Sequence, residues 1–366
     1  MQTMKEVLAK NNTREGHLEQ GHLEQTTLVG PKAGVIPMLP VAPHQKGPAG
    51  HGHRWGVILA GGDGTRLQKL TRLICGDDRP KQFCPLVGDD TLLEQTRQRA
   101  ERSIRGEQVL VSLTRSHRPF YLQQPGIRPS QRIVQPANKG TAPPILHSLL
   151  SIERTDENAI VAILPCDHHY SDDQTFTDAL ESAFDTAERH AESVVLVGAH
   201  PEGPEVEYGW IEPGPPACPA SFHVRGFCEK PPIHVAQELI ARGSLWNTFV
   251  MVGHVRGFLE MIRAALPEVV DFLRQSELWA GCEAHIPEPV YEAIRSINFS
   301  EEVLSVQTRR LVTLRQGLTG WNDLGHPERA VAVLRAAGME PAWMKEWQTP
   351  RRSVPASLAH LNAAVA

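Results

Sequence analysis

A chain of 366 residues is long enough to bury one large core or two smaller ones, and 37 Lys and Arg against 42 Asp and Glu leave a net charge of −5. That balance excludes the basic footprint of a binder of nucleic acid or anionic membrane, and no apolar run approaches the roughly 20 residues of a membrane span. The cysteines Cys75, Cys84, Cys166, Cys218, Cys228 and Cys282 form no CxxC pair, so reduced thiols in a soluble, cytoplasmic protein acting on a small molecule are the expectation.

Residues 1–53 are rich in His, Gly, Pro and Gln and contain the tandem GHLEQ-GHLEQ, Gly16 to Gln25. They carry no pattern that buries a face and read as a disordered, low-complexity extension. From Arg54 onward short apolar runs alternate with helical periodicity, which predicts an α/β domain with a largely parallel sheet over 54–338. "WGVILA" (55–60) is the first strand. Thr91 and Glu94 have capping-box spacing ahead of Leu92, Leu93 and Ala100, so a helix is expected there, followed by the strand "EQVLVSL" (107–113).

"GTAPPILHSLL" reads as a helix entry with Thr141 as N-cap and Pro143 and Pro144 in the first turn. "NAIVAILP" (158–165) is a buried strand. The stripe Phe176, Ala179, Leu180, Ala183, Phe184, Ala187 predicts a helix leading to the strand "SVVLVGA" (193–199), a strand-helix-strand unit that implies a right-handed crossover. Further on come "HVAQELIARG", ended by Gly243, and a last helix over Pro327 to Ala337 before Gly338. Residues 339–366 read as a tail of ambiguous structure.

In parallel α/β sheets ligands sit beyond the carboxyl ends of the strands, so the residues just after each strand matter most. After the first strand, Gly61, Gly62 and Gly64 let the backbone turn its amides toward phosphate oxygens, and Arg66 adds a cationic fork. Leu67 stands where a dinucleotide fingerprint wants glycine, and the GK[ST] of a P-loop is missing. Lys81, in "RPKQF", is placed to reach the same phosphates from the other side. After the central strand comes Cys166-Asp167-His168-His169, which lacks the second ligand cluster a zinc site needs. Asp323 follows far downstream in "GWNDLG". The letters GGDGT also occur in NAD kinases and diacylglycerol kinases, but there the loop lies deep inside the domain rather than after the first strand.

The series "ILAGGDGTRL", "RPKQF", "QPANKGTAPPIL", "ILPCDHHYSDD", "YGWIEPG", "FCEKP", "LWNTFVMV" and "GWNDLG", spread over about Trp55 to Ala330, resembles the mannose-1-phosphate guanylyltransferases, a family of sugar-phosphate nucleotidyltransferases, in order and spacing. The resemblance implies a three-layer α/β/α fold with a mostly parallel mixed sheet, the GT-A-like fold of nucleotide-diphospho-sugar transferases. It implies GTP and a hexose 1-phosphate as partners, with no nucleic acid and no membrane, and leaves a homodimer open. Arg66 and Lys81 are then expected on the triphosphate, with Gly61, Gly62, Gly64, Thr65 and Thr141 around the nucleotide. Asp167 and Asp323 are the expected Mg²⁺ ligands, an oxygen set suited to a hard cation. Glu229 and Asn247 are expected on sugar hydroxyls and Lys230 on the sugar phosphate, with Gly209 letting the sugar approach; Trp246 and Trp321 are expected to pack.

Three departures stand out. The family's GRNTAP has Asn where this chain has Gly140, its WPLS is Gln68-Lys69-Leu70-Thr71, and its WNSGMF is Trp246-Asn247-Thr248-Phe249-Val250-Met251. The first bears on the base and the last on the sugar, so dTTP or UTP with glucose 1-phosphate is an alternative pair. A catalytically silent sugar-nucleotide sensor is an alternative of another class. The length leaves no room for the cupin isomerase domain of bifunctional relatives, so a single activity is expected.

Overall fold

The computed structural model describes residues 51–280 and 288–348; the GHLEQ tandem with the rest of 1–50, Cys282 within 281–287, and residues 349–366 lie outside the described residues. The strands are β1 (Arg54–Leu59), β2 (Val109–Thr114), β3 (Arg132–Gln135), β4 (Ile160–Pro165), β5 (Val194–Ala199), β6 (Gly209–Cys218), β7 (Ser221–Glu229), β8 (Leu245–His254) and β9 (Leu311–Arg315). They form one sheet in the order β3-β2-β1-β4-β8-β5-β9-β7-β6. Among the described residues the helices of seven residues or more are α1 (Gln68–Cys75), α2 (Leu92–Ala100), α3 (Ala142–Thr155), α4 (Asp173–Arg189), α5 (Ile233–Ala241), α6 (Val255–Ala265), α7 (Pro267–Ala280), α8 (Pro327–Ala336) and α9 (Ala342–Gln348).

β3, β2, β1 and β4 are mutually parallel, as are β5 and β9. β4 and β5 are not neighbours, however. β8 lies antiparallel between them, pairing Val161 with Gly253 and Leu196 with Met251. The local strand-helix-strand pattern cannot report this, because the inserted strand arrives only after residue 244.

The strands alternate their faces, and two cores result. On one face Val57, Val161 and Ile163 pack with α3 and α6 through Ile145, Leu149, Phe258 and Ile262. On the other, Ile58, Val111 and Leu164 pack with α2 and α4 through Leu93, Ala100, Leu180 and Phe184. Ile58 and Ile163 are fully buried, and such burial stabilises by roughly 1.5–3 kcal/mol per side chain. Helices thus cover both faces of the sheet, the three-layer fold that the resemblance implies. Among the described residues no helix is long and apolar enough to cross a membrane.

A third cluster joins Leu67 and Leu70 to Leu324, Ala330, Leu334 and Met344. Arg66 and Asp323 therefore each precede a leucine sunk in the same apolar cluster, which holds their two loops at one end of the sheet. α9, within the C-terminal stretch, brings Met344, Trp343 and Trp347 to this cluster.

Two expected caps form differently. Thr91 Oγ1 accepts the Glu94 amide at 3.2 Å, but the Glu94 carboxylate turns to Arg97 and Gln98 instead of closing the box. Thr141 occupies the N-cap position of α3 without capping it, because its hydroxyl accepts the Phe299 amide at 2.8 Å. The Ala142 amide is satisfied by the Ile297 carbonyl at 3.1 Å. α3 is thus capped by a distant segment.

Candidate active site

A cleft of about 600 Å³ opens beyond the carboxyl ends of β1, β2, β3 and β4. Gly61, Gly62, Arg66, Lys81, Thr141, Asp167, Gly209, Glu229, Lys230, Asn247 and Asp323 all line it, whereas Gly64 and Thr65 do not. Gly64 shapes the turn: its φ is +60°, and a Cβ there would stand 3.1 Å from the Lys81 amide nitrogen. The glycine loop is thereby packed against "RPKQF". Gln82 Nε2 reinforces the contact, donating to the carbonyls of Ala60 at 3.1 Å and Gly62 at 2.7 Å.

The loop's acidic residue has a structural partner set. Asp63 Oδ1 meets His117 Nε2 at 3.1 Å, and Asp63 Oδ2 accepts from Asn138 Nδ2 at 2.9 Å. Burial holds the His117 imidazole below its usual range although Asp63 pulls the other way. Asp63 thus ties the glycine loop to the segments after β2 and β3. Neither His117 nor Asn138 stands out by residue type, but both lie just past strand ends.

The two expected phosphate cations differ in setting. Arg66 is exposed, its guanidinium resting on the carboxylate of Glu207, with His326 Nε2 at 3.3 Å. Lys81 is buried, its ammonium donating to the carbonyls of Asp323 at 2.8 Å and Leu324 at 3.1 Å and lying 3.2 Å from Asp167 Oδ2. Three acceptors fill the three donors of an ammonium. As arranged, Lys81 fixes Asp167 beside the Asp323 backbone rather than pointing freely into the cleft.

Asp323 Oδ1 accepts from Tyr208 Oη at 3.0 Å, Arg329 at 2.6 Å and the Gly325 amide at 2.9 Å. Burial pushes this carboxyl up, but His168, Arg329 and the Gly325 amide outweigh it and hold the group below its usual range. Arg329 is itself shared with Glu205 at 2.5 Å. His168 Nδ1 accepts from the Trp321 indole at 3.1 Å, so its proton sits on Nε2, which lies 3.8 Å from Asp167 Oδ1. Among the described residues, Asp167 Oδ1 and Asp323 Oδ2 have no hydrogen-bond donor, and no group of three His, Cys, Asp or Glu is placed to share a metal. Trp321 also lines the cleft, whereas Trp246 packs on Tyr208 and Trp210.

At the far end, Gly209, Glu229 and Asn247 crowd together. A Cβ on Gly209 would stand 2.6 Å from Glu229 Oε2 and 3.3 Å from Asn247 Cβ. The absent side chain therefore makes room for Glu229, a more specific reason than open access for a ligand. Burial raises the Glu229 carboxyl above its usual range, and Lys230 beside it opposes that. Gly140, with φ +82°, brings its missing side chain to 2.4 Å from the Ile297 carbonyl oxygen, which leaves no space for the asparagine of the GRNTAP pattern.

The family model described as nucleotidyl transferase matches residues 55–337. The chain belongs to that family. Among curated relatives, the chain is 30% identical over 278 residues to the xanthan biosynthesis protein XanB of Xanthomonas campestris pv. campestris, covering 74% of the chain and 57% of that protein. It is 33% identical over 318 residues to the mannose-1-phosphate guanylyltransferase ManC of Salmonella typhimurium, covering 83% of the chain and 61% of that protein. The chain thus spans less than two thirds of the length of these relatives. A crystal structure from Thermus thermophilus, described as a mannose-1-phosphate geranyltransferase, superposes with a TM-score of 0.67 at 30% identity, covering 79% of this chain and 80% of that one. The family membership read from the motifs is borne out.

Proposed function

We propose that the protein transfers a nucleotidyl group from GTP to mannose 1-phosphate or a close hexose 1-phosphate, forming GDP-mannose or its analogue and pyrophosphate. The observation that carries this reading is the shared cleft. The glycine loop, Arg66 and the carboxylates Asp167 and Asp323 line the same cavity as Gly209, Glu229, Lys230 and Asn247. The guanylyltransferase name borne by relatives supports the substrate pair.

In the reaction a phosphate oxygen of the sugar bonds to the α-phosphorus of the nucleotide. The bond from that phosphorus to the bridging oxygen breaks, and pyrophosphate leaves with the electron pair. The nucleophile is already ionised near neutral pH, so no side chain has to remove a proton. The protein's task is to hold together two polyanions. Arg66 meets phosphate once Glu207 is displaced, and Lys81 keeps Asp167 in place. Glu229 and Asn247 orient sugar hydroxyls.

Asp167 Oδ1 and Asp323 Oδ2, the two carboxylate oxygens left without a donor, suit a hard divalent cation, and we propose that these residues hold Mg²⁺. When bound, the ion offsets negative charge that develops on the phosphoryl oxygens.

The test is pyrophosphate release across GTP, UTP, dTTP, CTP and ATP with mannose 1-phosphate and glucose 1-phosphate, using Asp167→Asn as control. Release mainly with GTP and mannose 1-phosphate, lost in the variant, supports the proposal. Release with another pair refutes the substrates alone. Binding of nucleotide sugars without any release overturns the enzyme reading in favour of a silent sensor.

A further inference from the structure

Phe249 stands in a backbone conformation that its side chain opposes. Its φ is +61°, in the left-handed region where a bulky L-residue is strained. The WNSGMF pattern has glycine at this place, and glycine adopts such a φ freely. Neighbouring bonds impose the bend. The Phe249 amide donates to Asn247 Oδ1 at 3.0 Å, the Val250 amide to Thr248 Oγ1 at 3.2 Å, and Thr248 Oγ1 in turn to the Val197 carbonyl at 2.5 Å. The β5–β8 register slips between Val197 and Gly198 at the same level. Glycine meets all of these demands without strain, so the bend alone gives no reason for a phenyl ring.

The ring's surroundings do. Phe249 lines the cleft together with Asn247, Glu229 and Lys230. Behind it stands Phe299, with ring centroids 6.3 Å apart at 71°. Phe299 is fully buried and its amide is tied to Thr141, so this backing is rigid. Its neighbours Asn298 and Ser300 line the cleft on either side. Because Asn247 Oδ1 is taken by the Phe249 amide, the same bend leaves the Asn247 side-chain NH₂ as the group free to meet a ligand hydroxyl.

We infer that Phe249 sets the size and polarity of the sugar that the cleft accepts, admitting a plain hexose 1-phosphate and rejecting the same sugar bearing an N-acetylamino group. A phenyl wall takes the space that an acetyl group needs. It also offers no donor or acceptor to the acetamido N–H and carbonyl, which would be left unpaired once out of water. The inference rests on the nucleotidyl-transfer reading and names the class of sugar that this site discriminates against.

The experiment compares the wild type with Phe249→Gly and Phe249→Leu. The readout is kcat/KM for pyrophosphate release with mannose 1-phosphate, glucose 1-phosphate and N-acetylglucosamine 1-phosphate. The glycine variant is expected to raise the ratio of N-acetylglucosamine 1-phosphate to glucose 1-phosphate turnover at least about tenfold, leaving KM for the nucleotide unchanged. Leucine, which keeps an apolar wall, is expected to hold the wild-type ratio. Should the glycine variant fold poorly by thermal melting, Phe249→Asn tests the same point, since asparagine tolerates a positive φ. A ratio unmoved in the small variants, or a wild type that already uses both sugars equally, overturns the inference while leaving nucleotidyl transfer intact. A wild type that uses no sugar phosphate overturns both.

Discussion

Arg329 donates to Asp323 Oδ1 at 2.6 Å, and the same oxygen also receives the Tyr208 hydroxyl. Both partners of this pair are largely withdrawn from solvent, so removing one leaves the other poorly compensated. Arg329→Met is expected to destabilise the metal-free protein by roughly 1–3 kcal/mol, the cost of leaving a partly buried acceptor unsatisfied. A divalent cation should then restore part of the loss, because Asp323 has lost its resident positive charge. Thermal melts in EDTA and in Mn²⁺ test this, and equal losses in both media would count against a cation at Asp323.

Glu207 covers Arg66 in the same way, but here both side chains are about half exposed. Exposed pairs contribute about 1 kcal/mol or less, so Glu207→Gln should leave the unfolding midpoint unchanged. It should tighten the binding of inorganic pyrophosphate by up to about fivefold, since the anion no longer competes with a carboxylate. Calorimetric titration of the two proteins with pyrophosphate reads the difference. Unchanged or weaker binding would show that Glu207 orients Arg66 rather than shielding it.

Gly140 gives a steric prediction. A side chain there meets the Ile297 carbonyl oxygen at 2.4 Å with φ at +82°, and that carbonyl also accepts the Ala142 amide. Gly140→Asn, which restores the letter of the GRNTAP pattern, is expected to lower stability by roughly 1–3 kcal/mol through strain and a displaced helix entry. Urea denaturation decides it; a stability equal to wild type would mean that the 296–299 segment yields freely.

The buried imidazole of His117 gives a pH dependence. Burial lowers its folded pKa below the ordinary value near 6.5 despite Asp63. The folded state therefore binds the proton less readily than the unfolded chain. The associated stability is fully present above about pH 6.5 and is lost as pH falls through the lowered value. His117→Gln, which keeps a hydrogen-bonding partner for Asp63, should flatten the fall of unfolding free energy between pH 6.5 and 5 by up to ~1.4 kcal/mol per pH unit. Parallel slopes for the two proteins would place the titration elsewhere.

Strands β1, β2, β4 and β5 were legible because each is a short apolar run whose alternate residues face different cores, as Val57 and Ile58 do. β6 and β7, partly exposed and broken by Gly and Pro or by polar residues, were not. That Gly61, Gly62, Arg66 and Asp167 line the cleft was legible for a related reason, since they follow the ends of β1 and β4, where a parallel sheet leaves its ligands. Gly209, Glu229, Lys230 and Asn247 were named through the resemblance alone. The ion pairs that surround the site were not legible. Glu205, Glu207 and His326 sit in loops and Arg329 in the first turn of α8, and no local period marks a charge that will meet its partner more than a hundred residues away. The position of β8 was hidden too, since its apolar run, Val250 to Val252, looks the same whichever strands flank it. Asp63 drew attention for its letters, yet its partners came from His117 and Asn138.

The placement of β8 also orders the protein's synthesis. β4 and β5 leave the ribosome well before Leu245–His254, and β9 later still, yet β5 pairs only with β8 and β9. A nascent chain that has emerged as far as α5 therefore carries unpaired edges on β4 and β5, the kind of surface that invites wrong pairing. The sheet cannot close until its middle strand arrives, and chaperone contact, translation pauses and truncation should all weigh most heavily on that interval.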